Sequence, residues 1–187
     1  HMLYQTAVEF NDKIAVKFED RQLSYIQYLR CISGLARQLR NLNRGQSLRG
    51  QRVALICNNS IEMAVGLFAV HASGGQVVPI NPIYTSRELN HILADAEPII
   101  VIFDEKILDV VEPILKKLNI INYIKVGEMP DNRFDIWQND TKIKLPEMPE
   151  PDDYATLQYT GGTTGLPKGV NITHKQLSTN ISQREAS

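Results

Sequence analysis

The sequence predicts an α/β fold in which a mostly parallel sheet is flanked by helices. Short apolar runs, such as residues 53–57 and 99–103, have the length and continuity of strands that are buried on both faces. Segments with apolar residues at helical spacing separate these runs, and capping signals begin several of them. Strands that alternate with helices in this way form a parallel sheet with a helical layer on each face.

Strands and helices can be assigned in order from these patterns. The predicted strands are residues 15–18, 53–57, 77–80, 99–103, 121–126, 155–159 and 170–172. The predicted helices are residues 24–42, 61–73, 85–96, 105–118 and a last one that begins after Thr173. Pro113 is expected to kink or split the fourth helix, because proline lacks the N–H that a helix interior requires. Residues 127–153 read as a proline-rich, acidic loop, in which 141–145 is a candidate short strand.

The composition argues against several classes of function. The chain has 187 residues, 43% hydrophobic and 22% charged, with a formal net charge of -1. A near-neutral charge speaks against nucleic-acid binding, which calls for a basic surface. The most apolar stretch, residues 61–72, carries Glu62 and His71 and is too short to cross a bilayer, so no transmembrane segment is expected. Cys31 and Cys57 are too few for a disulfide framework or a metal site, which favours reduced thiols in a cytoplasmic protein.

The motif with the clearest chemistry lies between the predicted strands 155–159 and 170–172. It spans residues 159–169 and reads Tyr-Thr-Gly-Gly-Thr-Thr-Gly-Leu-Pro-Lys-Gly. Its glycines let the backbone turn sharply and bring N–H groups close to an anion, and its threonines add hydroxyl donors. Its lysine adds a compact positive charge on a flexible stem. We interpret the segment as a phosphate-binding loop with these contact residues: Thr160, Gly161, Gly162, Thr163, Thr164, Gly165 and Lys168.

This loop differs from two common phosphate-binding motifs. Lys168 is followed by glycine rather than serine or threonine, and no helix begins at it, which disfavours a P-loop kinase or ATPase. The glycine spacing also differs from that of a dinucleotide-binding loop. The residues alone leave one further alternative open, a glycine-rich turn that binds nothing.

Residues 159–170 closely resemble the signature loop of the adenylate-forming superfamily, which includes acyl- and aryl-CoA ligases, luciferases and peptide-synthetase adenylation domains. The pattern there is Tyr-Thr-(Ser/Gly)-Gly-(Ser/Thr)-Thr-Gly-x-Pro-Lys-Gly-(Val/Ala), and every position fits. Gly161 and the preceding Leu157-Gln158 are most similar to bacterial long-chain fatty acyl-CoA ligases. Other segments extend the resemblance over essentially the whole chain: 23–25, 53–58, 78–82, 85–89 and 173–174.

The resemblance implies a reaction in two steps on a carboxylic acid, with a long-chain fatty acid as the favoured substrate. The carboxylate would attack the α-phosphate of ATP to give an acyl-adenylate and pyrophosphate, and coenzyme A would then displace AMP. Residues 160–168 would grip the β- and γ-phosphates, with Lys168 handling pyrophosphate and Thr160 helping to hold Mg²⁺. His174 is a further candidate after the loop, whereas His71 and His91 are assigned no role.

The resemblance also predicts an incomplete enzyme. His1 and Met2 are interpreted as a tag remnant, and residues 3–187 as the N-terminal part of the large domain of an acyl-CoA synthetase-like fold. In the family, the adenine and ribose sites and the mobile C-terminal domain lie further along the chain. We therefore expect the chain alone to lack ligase activity and to bind ATP weakly, if at all.

Several readings of the full-length protein stay open at this point. An aryl-CoA ligase or a peptide-synthetase adenylation domain is the alternative within the superfamily. A non-catalytic binding domain is the alternative from another class. The resemblance also leaves open a peripheral association with membranes and a homodimer.

Overall fold

Strands and helices alternate along most of the chain in the computed structural model, which describes residues 2–143, 149–160 and 167–185. The strands are β1 (Ile14–Phe18), β2 (Arg21–Ser24), β3 (Arg52–Ile56), β4 (Gln76–Pro79), β5 (Ile100–Asp104), β6 (Tyr123–Val126), β7 (Tyr154–Thr160) and β8 (Lys168–Thr173). The α-helices are α1 (Met2–Glu9), α2 (Tyr25–Leu42), α3 (Ile61–Ser73), α4 (Ser86–Ala96), α5 (Leu108–Lys117) and α6 (His174–Glu185). No helix in this described part is long and apolar enough to span a membrane.

The main sheet confirms the predicted fold class. Within the described ranges it has six strands in the order β6-β5-β3-β4-β7-β8. The pairs β3–β4, β3–β5, β5–β6 and β4–β7 are parallel, and only β8 runs antiparallel to its neighbour β7. Strands β1 and β2 form a separate antiparallel hairpin. The sheet is therefore mostly parallel, with one antiparallel strand at an edge.

Two helical layers cover the sheet, as the continuous apolar strands predict. Helices α2 and α3 pack on one face, in a buried cluster that includes Leu55 and Ile102. Helices α4 and α5 pack on the other face, in a cluster that includes Ile56 and Phe103. Successive residues of β3 and β5 thus enter opposite layers, which is the two-residue period of a strand.

The capping boxes read from the sequence are present in the structure. Ser24 with Gln27 caps α2, and Thr85 with Glu88 caps α4. In each box the hydroxyl accepts from the backbone N–H three residues on, while the longer side chain accepts from the backbone N–H of the cap residue. Thr173 and Gln176 make the same exchange before α6. Local side-chain chemistry therefore sets where these helices begin.

Four elements differ from the sequence prediction. Helix α1 and strand β2 were not predicted, since both are short and neither has a clear apolar period. Pro113 lies inside α5 and does not divide it; the change of helix type comes earlier, after the 3-10 turn Glu105–Ile107. Residues 141–143 of the candidate strand 141–145 are irregular, and 144–148 lie outside the described residues.

An ion-pair network joins the β1–β2 hairpin to α3 and to the segment after β6. Arg21 donates to both carboxylate oxygens of Glu62, at 2.8 and 2.6 Å, and to Asp135 at 3.2 Å. Arg133 makes a second ion pair with Asp135. Glu62 is 3% exposed and Asp135 is 7% exposed, so the arginines rather than water compensate the charges of these two carboxylates. The network fixes three separate parts of the chain against each other.

The close packing of Trp137 on α2 requires glycine at position 34. A Cβ there would lie 2.2 Å from Trp137 Cγ, well inside van der Waals contact. We expect Gly34→Ala to lower the free energy of unfolding by about 1–2 kcal/mol, because the overpacking outweighs the gain in helix propensity. Thermal unfolding and the fluorescence of Trp137, the single tryptophan, measure this. Gln38→Ala, on an exposed position of the same helix, is the control; equal stability of both variants would contradict the prediction.

Candidate functional site

The predicted phosphate-binding loop joins β7 to β8. Thr160 ends β7, Lys168 begins β8, and the two residues are paired in the antiparallel ladder. The remaining predicted contact residues lie outside the described residues, and their contacts stay predictions: Gly161, Gly162, Thr163, Thr164 and Gly165. The described arms show how the ends of the loop are held.

The sheet places this loop at the edge where α/β folds commonly bind ligands. Strand β7 pairs in parallel with β4, through Val77 and Thr156, so its carboxyl end shares an edge with the ends of the other parallel strands. Ligands of open α/β sheets bind in the crevice outside that edge. The loop leaves β7 at this edge.

Thr160 and Lys168 are both exposed at the mouth of the loop. Thr160 Oγ1 donates to the carbonyl oxygen of Lys168 at 3.5 Å, which links the two arms. None of the ion pairs found in the described ranges includes Lys168. Its ammonium group can therefore approach an anion without first breaking one of these pairs.

Helix α4 contacts both arms of the loop. The Tyr159 hydroxyl donates to Asp95 Oδ2 at 2.5 Å, just before the loop. After the loop, His91 Nε2 lies 3.1 Å from the carbonyl oxygen of Pro167. A carbonyl oxygen only accepts, so Nε2 carries the proton and donates. His91 and Asp95 are one helical turn apart, which brings both side chains to the same side of α4.

Tyr159 anchors the first arm of the loop in the core. It is 5% exposed and belongs to the cluster between the sheet and α4. Burial, together with the hydrogen bond to Asp95, raises the pKa of its hydroxyl, which stays a protonated donor. A Cβ at position 169 would lie 2.9 Å from Leu157 Cδ1 and 3.2 Å from Tyr159 Cζ. The glycine after Lys168 therefore leaves room for these two side chains.

His174 does not lie beside Thr160 and Lys168. It follows β8 and begins α6, next to the opposite end of β7, where Tyr154 pairs with Thr173. Its ring contacts His71 edge to face, with the ring centroids 5.0 Å apart. Seven residues of β7 separate this end from the loop, a distance of about 20 Å at the rise of a strand. The structure thus places His174 in a histidine pair away from the candidate site.

His71, to which the sequence assigns no role, holds this pair in place. Its Nε2 is 3.0 Å from the carbonyl oxygen of Ala155, to which it donates in the neutral form. Burial, and secondly the neighbouring His174, lower the pKa of His71 from 6.5 to about 4. The histidine is therefore neutral in the folded chain at pH values where it would be charged in the unfolded chain.

This shift predicts a loss of stability in mild acid. The neutral form contributes its full stability above pH 6.5, and the contribution falls as the pH drops from 6.5 to 4, since the unfolded state then binds the additional proton. We expect unfolding at pH 5 to require about 2 kcal/mol less than at pH 7, measured by urea titration. His71→Gln keeps a donor for the carbonyl oxygen of Ala155 but removes the titrating group. The free energy of unfolding of this variant should therefore lack the fall of about 2 kcal/mol between pH 7 and pH 5. An unchanged pH dependence in that variant would contradict the assignment.

A cation would find few ligands among the described residues. No group of three or more histidine, cysteine, aspartate or glutamate side chains in those ranges is arranged to hold a metal. Thr160 offers one exposed hydroxyl oxygen at the mouth of the loop. Mg²⁺ is usually held by one or two carboxylates together with substrate phosphate oxygens and water. The described residues at the mouth of the loop offer the Thr160 hydroxyl alone, so most ligands of such an ion would have to come from the nucleotide and water.

The sequence singles out Thr160 and Lys168 as candidate site residues, and this remains a prediction, but it gives no sign of the contacts that His91 and Asp95 make with the arms of the loop. Their spacing on one side of a predicted helix was visible, but it does not show which strand lies beside that helix. The partners Pro167 and Tyr159 are 76 and 64 residues away along the chain. Only the packing of α4 against the sheet brings them together.

The fold and the glycine-rich loop at the carboxyl edge of its sheet are those of an adenylation domain. The chain belongs to the AMP-binding enzyme family, which it matches over residues 3–186. The solved long-chain-fatty-acid-CoA ligase of Archaeoglobus fulgidus superimposes with a TM-score of 0.82 at 28% identity, covering 97% of this chain and 37% of that one. ATP-bound MatB from Rhodopseudomonas palustris superimposes with a TM-score of 0.79 at 28% identity, covering 96% and 35%.

Curated relatives include several kinds of ligase and synthase. The long-chain-fatty-acid–CoA ligase of Bacillus subtilis (strain 168) is 30% identical, over 96% of this chain and 37% of the relative. Tyrocidine synthase 1 of Brevibacillus parabrevis is 31% identical, over 95% of this chain and 15% of the relative. The chain thus spans little more than a third of the fatty-acid ligase.

Proposed function

We propose that this chain is the phosphate-binding part of an ATP-dependent long-chain fatty acid–CoA ligase. The observation that carries the proposal is the signature loop between β7 and β8, at the carboxyl edge of the sheet, with an exposed Lys168 beside it. The similarity to long-chain-fatty-acid–CoA ligases supports the choice of acid. The loop variant with Gly161, preceded by Leu157 and Gln158, supports the same choice.

The chemistry asks the site to bring two anions together. An oxygen of the carboxylate forms a bond to the α-phosphorus of ATP, and the bond from that phosphorus to the bridging oxygen breaks. Pyrophosphate leaves with the electron pair, and the product is an acyl-adenylate. Fixed positive charge and N–H donors around the β- and γ-phosphates stabilise the charge that develops on this leaving group.

Residues at the two ends of the loop have distinct tasks in this step. Lys168, the first residue of β8, reaches the β- and γ-phosphates with its ammonium group. The backbone N–H groups of residues 161–165 would donate to the same oxygens. The Thr160 hydroxyl donates its proton to the Lys168 carbonyl oxygen, and its free lone pairs would supply one oxygen ligand to Mg²⁺. The thiol of coenzyme A then attacks the acyl carbonyl, and AMP leaves.

We propose that the residues for adenine, ribose, the acyl chain and coenzyme A lie in parts of the protein beyond this chain. The coverage of little more than a third of the fatty-acid ligase supports this. We also propose a cytoplasmic location. It is supported by Cys31 and Cys57, which are both buried and unpaired, as expected of reduced thiols.

The full-length protein tests the proposed substrate directly. It is incubated with ATP, Mg²⁺ and coenzyme A together with palmitate, benzoate or an amino acid, and thioester formation is measured. Palmitate should give the highest rate, and the 187-residue chain alone should form no thioester. Preference for benzoate would indicate an aryl-CoA ligase, and amino-acid adenylation without thioester release would indicate a peptide-synthetase domain. If none of the three acids reacts, the proposal is contradicted.

A further inference from the structure

We propose that His91 is a positioning residue that sets the direction of Lys168, while Asp95 holds the opposite arm of the loop through Tyr159. This inference rests on the proposed function, because it assumes that Lys168 contacts the phosphates of ATP. It assigns a role to α4, whose residues do not themselves need to touch the nucleotide.

The backbone on each side of Lys168 is held by a side chain. His91 Nε2 donates to the carbonyl oxygen of Pro167, the residue before it, and Thr160 Oγ1 donates to the carbonyl oxygen of Lys168 itself. A peptide group is planar, so fixing a carbonyl oxygen also fixes the N–H on the other side of that peptide bond. The His91 contact therefore restrains the peptide plane before the Lys168 Cα, and the pairing of Lys168 with Thr160 in the β7–β8 ladder, with the longer hydroxyl contact, restrains the plane after it. The starting direction of the lysine side chain is restrained with them.

Helix α4 is a rigid support for this contact. Its buried side, Leu89, Ile92, Leu93 and Ala96, packs in the same cluster as Tyr159. Its first turn is closed by the capping box of Thr85 and Glu88. Because His91 and Asp95 are one turn apart on this helix, the distance between them is set by helix geometry. The two arms of the loop are thus tied to two points of fixed spacing.

The second tie holds the arm that enters the loop. Tyr159 is buried, and its hydroxyl reaches Asp95, which lies on the exposed side of α4. Pro167, the partner of His91, is buried as well. Both loop ends are therefore anchored in the core, while Thr160 and Lys168 between them face solvent.

A restrained loop matters because a lysine side chain is long and flexible. An error in position of about 1 Å at a reacting group can cost a factor of about 100 in rate. Loss of the His91 contact should therefore lower kcat for adenylation about tenfold in the full-length protein. KM for the carboxylic acid should change little, since the acid binds elsewhere.

The test compares His91→Ala with His91→Gln in the full-length protein, by ATP–pyrophosphate exchange. Glutamine presents an N–H near the position of histidine Nε2, so it should recover most of the lost kcat. Asn90→Ala, on the neighbouring position of α4, is the control and should behave as the unchanged protein. A normal kcat in His91→Ala, or no recovery in His91→Gln, would overturn the proposal.

A second readout needs no catalysis. In the 187-residue chain, amide hydrogen exchange across residues 158–170 should be faster in His91→Ala than in the unchanged chain, and restored in His91→Gln. Lack of acid-dependent pyrophosphate exchange in the unchanged full-length protein would refute the proposed function. Hydrogen exchange alone would then test whether His91 restrains the loop. Equal exchange rates in His91→Ala and in the unchanged chain would overturn that restraint.

Discussion

Replacing Lys168 with alanine in the full-length protein is expected to lower the rate of adenylation by about 100- to 1,000-fold. The magnitude is that of removing one fixed group that stabilises charge in a transition state. The reason is the charge on pyrophosphate as it leaves, which the lysine ammonium would neutralise from the first residue of β8. Acid-dependent ATP–pyrophosphate exchange measures the effect. KM for the carboxylic acid should change little, because the role proposed for Lys168 is on the phosphates.

Two further variants make this result specific. Lys168→Arg keeps the charge but changes its shape and reach, so we expect it to recover only part of the activity. Lys175→Ala removes an exposed lysine on α6, beside the opposite end of β7, and should leave the rate unchanged. An adenylation rate in Lys168→Ala within a few-fold of the unchanged protein would remove the role proposed for Lys168.

Replacing Arg21 with methionine should cost about 3–4 kcal/mol of the free energy of unfolding. The substitution leaves the carboxylate of Glu62, whose side chain is 4% exposed, without the guanidinium that donates to both of its oxygens. Asp135 keeps Arg133 as a partner, so most of the loss comes from Glu62. The value lies at the lower end for a broken buried pair because Arg21 is itself 29% exposed. Urea denaturation of the chain measures it.

A second substitution separates an unpaired charge from lost packing. Because the penalty comes from the carboxylate that is left buried, Arg21→Met combined with Glu62→Met should recover most of the lost stability. As a control, Lys106→Met removes a partner of Glu128 in an exposed ion pair and should have no measurable effect. If the double variant is as unstable as Arg21→Met alone, the network does not act as described.

The fold could be predicted from the sequence because its signals are local. Residues 53–57 and 99–103 are continuous apolar runs, and they correspond to β3 and β5, two adjacent interior strands of the sheet. The capping box of Ser24 and Gln27 marks the start of α2 without knowledge of the tertiary structure. Pro113 was expected to kink or split its helix, and the absence of a split has a tertiary reason. The buried Val111, Ile114 and Leu115 pack α5 on the sheet, which outweighs the hydrogen bond that proline removes.

The candidate site likewise has residues that a local pattern can indicate and contacts that only the tertiary structure reveals. Thr160 and Lys168 belong to one contiguous motif, so the sequence alone could propose them as phosphate contacts. The ties from α4 to the loop depend on which helix lies beside β7, and no local pattern reports that. The Arg21–Glu62 pair likewise joins residues 41 positions apart. Long-range polar contacts are invisible in a single sequence because their residue types are common on any surface.

The most direct test of the account is where the oxygen of the acid goes. The full-length protein is given ATP and palmitate labelled with oxygen-18 in its carboxyl group, with coenzyme A to complete the turnover, and the nucleotide product is analysed by mass spectrometry. If the carboxylate attacks the α-phosphorus as proposed, the products are pyrophosphate and AMP that carries one labelled oxygen. Formation of ADP and phosphate, or of AMP without label, would contradict it.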